Sequence, residues 1–481
     1  MSIIRHPIFL IIMLLTVFFL KGIFLATIFP IFTGQDEARH YNTVQYLNQP
    51  AIPADQQTNR PYQQQKEDFS DYNFSEEIIN AGKTSGIDEL RRGLFSTQPF
   101  SVDSFSGIGE SNITARSWKP YNFTVPADIA GTESLYHKIA SAIESTLSQH
   151  DILVRFYTIR IFSVLLGTLA VLFAFLIART VGFDAFVSTL FAALVAFQPK
   201  FSMYTTNINY DVLLIPLFFL FTLGGILSFR DGLNWKNIAI MVFSLVLGTI
   251  TKGTGIILFV SFLGIIGFHL FKKAKNTKKL FFSSLLFIGI FLISNSLFET
   301  KYSFRELIPF GGSFTKTYSS LSSYLEESLT PGRFALSSRT YWGALGWNDD
   351  VITRHFTDMI WVVQEIAVLG LILFLFTKNK PDFLPEKNSV IFLIAMILAL
   401  QLGIRTADWN VFAHTGALDL GTPGRYFLPN LATHIILVFI GLGMLLGTRE
   451  RFKNILIGGV ILMCFFSMFL TFSTILPRFY L

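Results

Sequence analysis

Between Ile8 and Phe29 only Lys21 carries a charge, and comparable apolar runs recur to the end of the chain. A hydrocarbon core about 30 Å thick takes roughly 20 helical residues to cross. Backbone groups in lipid must also be satisfied within the segment, which makes such runs helices. The runs fall at 8–30, 157–179, 183–200, 211–229, 235–251, 254–271, 280–298, 357–377, 388–404, 428–447 and 453–475. The sequence therefore predicts an all-α, polytopic integral membrane protein with about eleven transmembrane helices. No period-two alternation suggests a β-barrel. The first run is too long for a signal peptide core and lacks a clear small-x-small cleavage site before Pro30, so it is read as a span.

Composition agrees where it matters. The chain is 51% hydrophobic and 15% charged, with 53 Phe, against roughly 25% charged residues in soluble domains. Its net charge of +6 is scattered through short connections, not gathered in one patch. The expected partner is thus the bilayer, and no nucleic acid. The single cysteine, Cys464, lies in the last run and forms no intrachain disulfide.

With simple alternation of the spans, Arg179, Arg230, Lys236, Lys272, Lys273, Lys378, Lys380, Arg449, Arg451 and Lys453 share one side with Arg5. The positive-inside rule makes that side cytoplasmic. The expectation is a multi-pass cell-membrane protein with a cytoplasmic N-terminus and an external C-terminus. Long connections then all lie outside: residues 31–156, 299–356 and 405–427. Residues 1–481 read as a single transmembrane domain bearing these loops. In the first loop, Leu135, Ile139, Ile143 and Leu147 recur every four residues. That spacing predicts an amphipathic helix over 133–148, resting on the outer membrane surface.

Five external motifs carry side chains suited to chemistry. Gly34-Gln35-Asp36-Glu37-Ala38-Arg39-His40-Tyr41 sets two carboxylates one helical turn before a histidine, which suits a divalent cation (Mg or Mn) or a catalytic base. The same spacing also suits a plain helix start, with the acid as N-cap. Asp211, after Asn209-Tyr210, stands at the mouth of the fourth span, either converging with Asp36 or capping that span. Lys252, in Thr251-Lys252-Gly253-Thr254-Gly255, is a cation in a tight external turn, placed to meet a lipid phosphate or solvent. Arg425 and Tyr426, in Gly424-Arg425-Tyr426-Phe427-Leu428-Pro429, offer a phosphate-matching fork beside an interfacial aromatic. In the second long loop, Trp342 and Trp347 flank Gly343 and Gly346, as a sugar-stacking shelf or an interfacial turn would. Lys21 and Glu365 lie within spans, where an ionisable group is a functional hypothesis by default; Lys21 alternatively snorkels outward.

Taken in order, these motifs resemble the GT-C class of membrane glycosyltransferases, which includes the protein O-mannosyltransferases and the aminoarabinose transferases. The order is closest to a bacterial family known as domain of unknown function 2142, over Gln35–Tyr41, Asn209–Asp211, Tyr341–Trp347 and Gly424–Pro429. The chain departs from that family at Thr33-Gly34-Gln35, where a proline-rich approach is usual. The resemblance implies transfer of a sugar from a polyprenyl-phosphate-linked donor to a cell-envelope glycan or lipid-linked acceptor, by inverting displacement on the external face. It further implies Asp36 as the base, with Glu37 beside it, and His40 and Asp211 holding a metal or the acceptor. Lys252 and Arg425 would neutralise the departing phosphate. The rival readings are a flippase of lipid-linked saccharides and a non-catalytic partner in polysaccharide assembly. Transporters place polar residues near the midplane in paired halves, whereas here the polar residues concentrate in the loops.

Overall fold

The structure is a computed structural model that describes residues 7–48, 74–87, 109–113, 133–272, 321–343, 354–416, 418 and 423–480. It is all-helical, with 84% helix and no strand among the described residues. The helices are α1 (Pro7–Ile28), α2 (Glu37–Tyr46), α3 (Glu76–Thr84), α4 (Leu135–Thr146), α5 (Ile152–Val181) and α6 (Ala185–Phe197). They continue with α7 (Pro199–Tyr204), α8 (Asp211–Asp231), α9 (Trp235–Thr251), α10 (Ile256–Lys272), α11 (Leu321–Ser328) and α12 (Pro331–Trp342). The chain closes with α13 (Arg354–Phe376), α14 (Lys387–Thr415), α15 (Leu431–Leu446), α16 (Arg449–Leu470) and α17 (Leu476–Tyr480). A 3-10 helix, Gly424–Asn430, leads into α15.

Eight of these segments are long and apolar enough to cross a membrane, and Ala185–Phe197 and Trp235–Thr251 are shorter apolar helices. Ten of the eleven expected runs therefore coincide with helices, and the run at 280–298 lies outside the described residues. The chain is a multi-pass membrane protein. The bundle is closed by small residues where helices cross. A Cβ on Gly441 would stand 1.9 Å from the Ala367 carbonyl oxygen, and one on Gly370 would stand 2.0 Å from the Gly441 oxygen. Only glycine permits that approach of α13 to α15.

Two boundaries depart from the sequence reading where charged residues are neutralised inside the fold. Helix α5 starts at Ile152, five residues before the expected 157, capped by Asp151, whose side chain accepts from Val154 N–H. Arg155 in its first turns is fully buried against Glu144 at 2.8 Å and against Glu77. Helix α14 runs on to Thr415, past the expected end at 404. Buried Asp408 on this extension accepts from the Tyr324 hydroxyl at 3.1 Å, so the third external loop is shorter than predicted.

The juxtamembrane helix is present as α4, with a capping box between Ser134 and His137. Its protein-facing side is Tyr136, His137, Ala140, Ser141 and Glu144, which leaves Ile139 outward at 36% exposure. Leu135 and Ile143 of the expected stripe are instead partly buried against the core, so α4 docks on the bundle and presents Ile139 outward. Lys21 does not snorkel. Its Nζ donates to Ser202 Oγ at 2.9 Å and Ser467 Oγ at 2.8 Å, tying α1 to α7 and α16. Glu365 is exposed on α13.

Candidate active site

The site begins with a turn whose backbone is strained. Phe32 (φ 62°) and Asp36 (φ 55°) are the non-glycine residues with positive φ among the described residues. Such conformations cost about 1–3 kcal/mol each and persist only where the surroundings enforce them. The enforcing group is Glu37. Its carboxylate accepts from Gly34 N–H at 2.9 Å, from Ile208 N–H at 3.0 Å, and from Arg160 Nε and Nη2 at 2.8 and 2.7 Å. Arg160, from α5, also donates to the carbonyls of Ala26 at 2.9 Å, Pro30 at 2.8 Å and Phe29. Both side chains are completely buried. One ion pair therefore holds the end of α1, the following turn and the loop before α8.

Asp36 is left facing outward by this arrangement. It occupies the N-cap of α2, but in the left-handed region and with no side-chain capping bond. The plain helix-start reading does not describe its carboxylate, which is 40% exposed. It faces Arg425 Nη2 at 3.3 Å. Arg425 arrives on the 3-10 helix Gly424–Asn430, which presses against the end of α12. Gly424 N–H donates to Thr340 Oγ1 at 2.8 Å, and a Cβ at Gly424 would lie 2.3 Å from the Tyr341 nitrogen. Arg425 Nη2 further donates to the Tyr426 hydroxyl at 3.0 Å. Its buried Nη1 has no hydrogen-bond partner among the described residues.

Tyr426 joins this pair to the next. The Lys252 ammonium sits 4.6 Å from the Tyr426 ring centroid and 4.7 Å from that of Tyr210, with the Arg425 guanidinium 4.7 Å from Tyr426. Such cation–π contacts strengthen when water is excluded. Lys252 Nζ donates to Asp211 Oδ1 at 2.7 Å, and the Tyr204 hydroxyl donates to Asp211 Oδ2 at 3.0 Å. Burial alone would lower the Lys252 ammonium, but Asp211 and the two tyrosines outweigh it and hold Lys252 above the usual lysine range.

His40 lies one turn after Asp36, edge-on to Tyr210 at 4.6 Å between ring centroids. Its Nδ1 is 2.9 Å from His137 Nε2. The Ser134 backbone N–H donates to His137 Nδ1 at 3.3 Å, which puts the His137 proton on Nε2, pointing at His40. His40 then carries its own proton on Nε2. Burial, followed by His137, Lys252, Arg39 and Arg425, holds His40 well below the ordinary histidine range, and burial lowers His137 to about 3.

Four separate segments thus bring together Asp36, His40, Asp211, Lys252, Arg425 and Tyr426. Trp342 packs instead beside Tyr341 and His434, with ring centroids 5.2 and 6.1 Å apart respectively. Trp347 lies outside the described residues. Among the described residues no three His, Cys, Asp or Glu side chains gather as a metal-binding group. Glu37 and Asp211 have both carboxylate oxygens engaged by the donors above. The described set therefore does not by itself fit a divalent cation. The residues that the sequence reading passed over are Arg160 and His137. Arg160 could have been found, because it is a charge inside an apolar run; His137 carries no comparable signal.

Set beside known proteins, residues 153–298 match a family model described as dolichyl-phosphate-mannose-protein mannosyltransferase. That is under a third of the chain, and it includes Arg160, Asp211 and Lys252 but not Asp36 or Arg425. The match supports a membrane glycosyltransferase of the GT-C class. No curated protein matches the chain.

Proposed function

We propose that this protein transfers a sugar from a polyprenyl-phosphate donor to a cell-envelope glycan or lipid-linked acceptor, with inversion, on the external face of a cell membrane. The observation that carries the reading is the convergence of the Asp36–Arg425 and Asp211–Lys252 ion pairs, whose two cations share the Tyr426 ring. The similarity to the family known as domain of unknown function 2142 belongs to the same reading. So does the orientation, with a cytoplasmic N-terminus and the C-terminus outside.

In this reading an acceptor hydroxyl gives its proton to Asp36 while its oxygen attacks the anomeric carbon. The bond from that carbon to the phosphate oxygen breaks, and a single displacement inverts the configuration. The departing phosphate gathers negative charge, which Arg425 and Lys252 stabilise. Arg425 Nη1, buried without a partner among the described residues, is the donor available for it. Asp36 suits the base because its carboxylate is the accessible one. Glu37, proposed from sequence beside Asp36 as catalytic, is better suited to positioning, since its oxygens are consumed by Arg160, Gly34 and Ile208. His40 and Asp211 orient the acceptor and Lys252 respectively, and Trp342 and Trp347 offer a sugar-stacking face. No step runs through a metal; adding EDTA, then Mg or Mn, to the transfer assay tests for one.

The experiment is transfer in proteoliposomes from a polyprenyl-phosphate hexose to envelope glycan extracts, with wild type, Asp36→Asn and Arg425→Ala. Loss of transfer in Asp36→Asn, with donor KM raised in Arg425→Ala, supports the reading. Wild-type transfer by both variants would sink it. If no sugar is transferred but a complete lipid-linked saccharide crosses the bilayer, the protein is a flippase; if neither occurs, it is an assembly partner.

A further inference from the structure

Beside the reacting cluster lies a cavity of about 270 Å³. Its walls include the aromatic rings of Trp342, Trp361 and Phe427 and the polar ends of Tyr341, Asn430 and His434. It is joined to the cluster through the 3-10 helix, whose Arg425 faces Asp36 while Phe427 and Asn430 line the cavity. Gln364 Nε2, which only donates, stands 3.1 Å from His434 Nε2. The His434 proton is therefore on Nδ1, donated to the Tyr341 oxygen at 3.0 Å. That leaves the Tyr341 hydroxyl proton to be donated elsewhere. Asn430 Nδ2 donates to the Met396 carbonyl at 2.7 Å, but among the described residues its buried Oδ1 has no partner, and neither does Ser338 Oγ in the same wall. Buried polar atoms of this kind ordinarily find partners. Aromatic faces with unmatched neutral donors and acceptors suit a sugar, whose ring has apolar faces and a hydroxyl edge. They suit a phosphate poorly. Arg405, the cation in the lining, hydrogen-bonds to Tyr324.

The cavity shares Trp342, Gln364 and His434 with a second one, of about 510 Å³, running between α13, α15 and α16. This groove is walled by apolar side chains such as Val363, Phe439, Met463 and Phe466. Met359 and Phe465 on its rim are each 68% exposed. It lies along membrane-spanning helices, so its natural content is hydrocarbon. The Gly370–Gly441 crossing fixes the distance between α13 and α15 and so the position of Gln364 opposite His434.

Resting on the transferase reading, we infer that the acceptor is a lipid-linked saccharide. Its sugar occupies the Tyr341–Asn430–His434 cavity and its chain lies in the α13–α15–α16 groove. The donor phosphate is left to Arg425 and Lys252 on the other side of the 3-10 helix. The distribution of charge supports this: the Arg425 fork and the Lys252 point charge lie on one side, and on the other are aromatic walls with neutral polar groups, where the cation Arg405 is engaged by Tyr324.

The test uses the full chain in nanodiscs with a polyprenyl-linked saccharide carrying a diazirine on its chain. Photolabelling should map to peptides from α13, α15 and α16. Met359→Trp and Val363→Trp fill the groove from its exposed rim. They should cut labelling at least tenfold and raise KM tenfold for the long-chain acceptor. KM for the same saccharide on a short soluble chain should stay unchanged, as should KM for the donor. Asn430→Asp and Gln364→Leu should raise acceptor KM for both chain lengths. A shift in donor KM alone overturns the assignment. Equal labelling by a diazirine phospholipid, undiminished by excess saccharide, also overturns it, because the groove would then hold bilayer lipid only. Labelling is read without turnover, so a protein that binds the probe but transfers no sugar would refute the transferase reading and leave the binding site standing.

Discussion

Arg425 Nη2 stands 3.3 Å from Asp36 Oδ2, across 389 positions of sequence. Nothing in the local chain holds that pair together. It exists because the Glu37–Arg160 pair fixes the turn that presents Asp36, while the Gly424–Tyr341 approach fixes the 3-10 helix that presents Arg425. Adjacent acids therefore stand in opposite settings, Asp36 partly exposed and Glu37 consumed by the fold.

Asp36→Asn should keep the fold, because the side chain makes no capping bond, and lose transfer by about 10²- to 10⁴-fold, the usual worth of a general base. Gel-filtration profile and thermal unfolding in detergent check the first part, and initial rates check the second. A wild-type rate would remove Asp36 from the mechanism.

Glu37→Gln should do the reverse. It leaves the buried Arg160 charge without its counter-ion, and breaking such a pair costs about 3–5 kcal/mol. The variant should be recovered in low yield with a lowered melting temperature. A fully stable Glu37→Gln protein that is merely inactive would return Glu37 to a direct role.

Much of this was legible in the sequence. The apolar runs coincide with helices, and four of the five motifs contain Asp36, Asp211, Lys252, Arg425 and Tyr426. What adjacency in sequence does not reveal is which of Asp36 and Glu37 is consumed by the fold. That depends on Arg160, 123 positions away, and on Ile208, whose N–H reaches the same carboxylate. The early start of α5 was hidden for the same reason. Arg155 looks like a loop residue until Glu77 and Glu144, from α3 and α4, neutralise it. Span periodicity reports lipid-facing and core-facing surfaces, and it carries no information about partners supplied by other loops.

Lys252 offers a way to separate support from chemistry. Lys252→Met strands Asp211, whose side chain is 7% exposed, and should lower stability by about 3–5 kcal/mol. Adding Asp211→Asn removes the stranded charge and should restore most of the melting temperature. Transfer should stay lost in the double variant if Lys252 meets the phosphate. Recovery of both stability and rate would make the pair purely structural.

The His40–His137 pair predicts the direction of acid sensitivity. Both imidazoles are held below the ordinary value of 6.5, His137 at about 3. Below 6.5 the unfolded chain takes up protons that the folded chain refuses, so stability rises with pH and is lost on acidification. The loss should start as the pH falls through 6.5 and continue toward 3, at no more than about 1.4 kcal/mol per pH unit for each histidine. Melting temperatures of wild type and of His40→Asn/His137→Asn across that window check it. The double variant should show a flatter acid limb, though a lower plateau where the histidines are neutral, because the 2.9 Å contact is gone. An acid limb as steep as the wild type's would assign the sensitivity to carboxylates, whose contribution is lost lower in pH, and not to this pair.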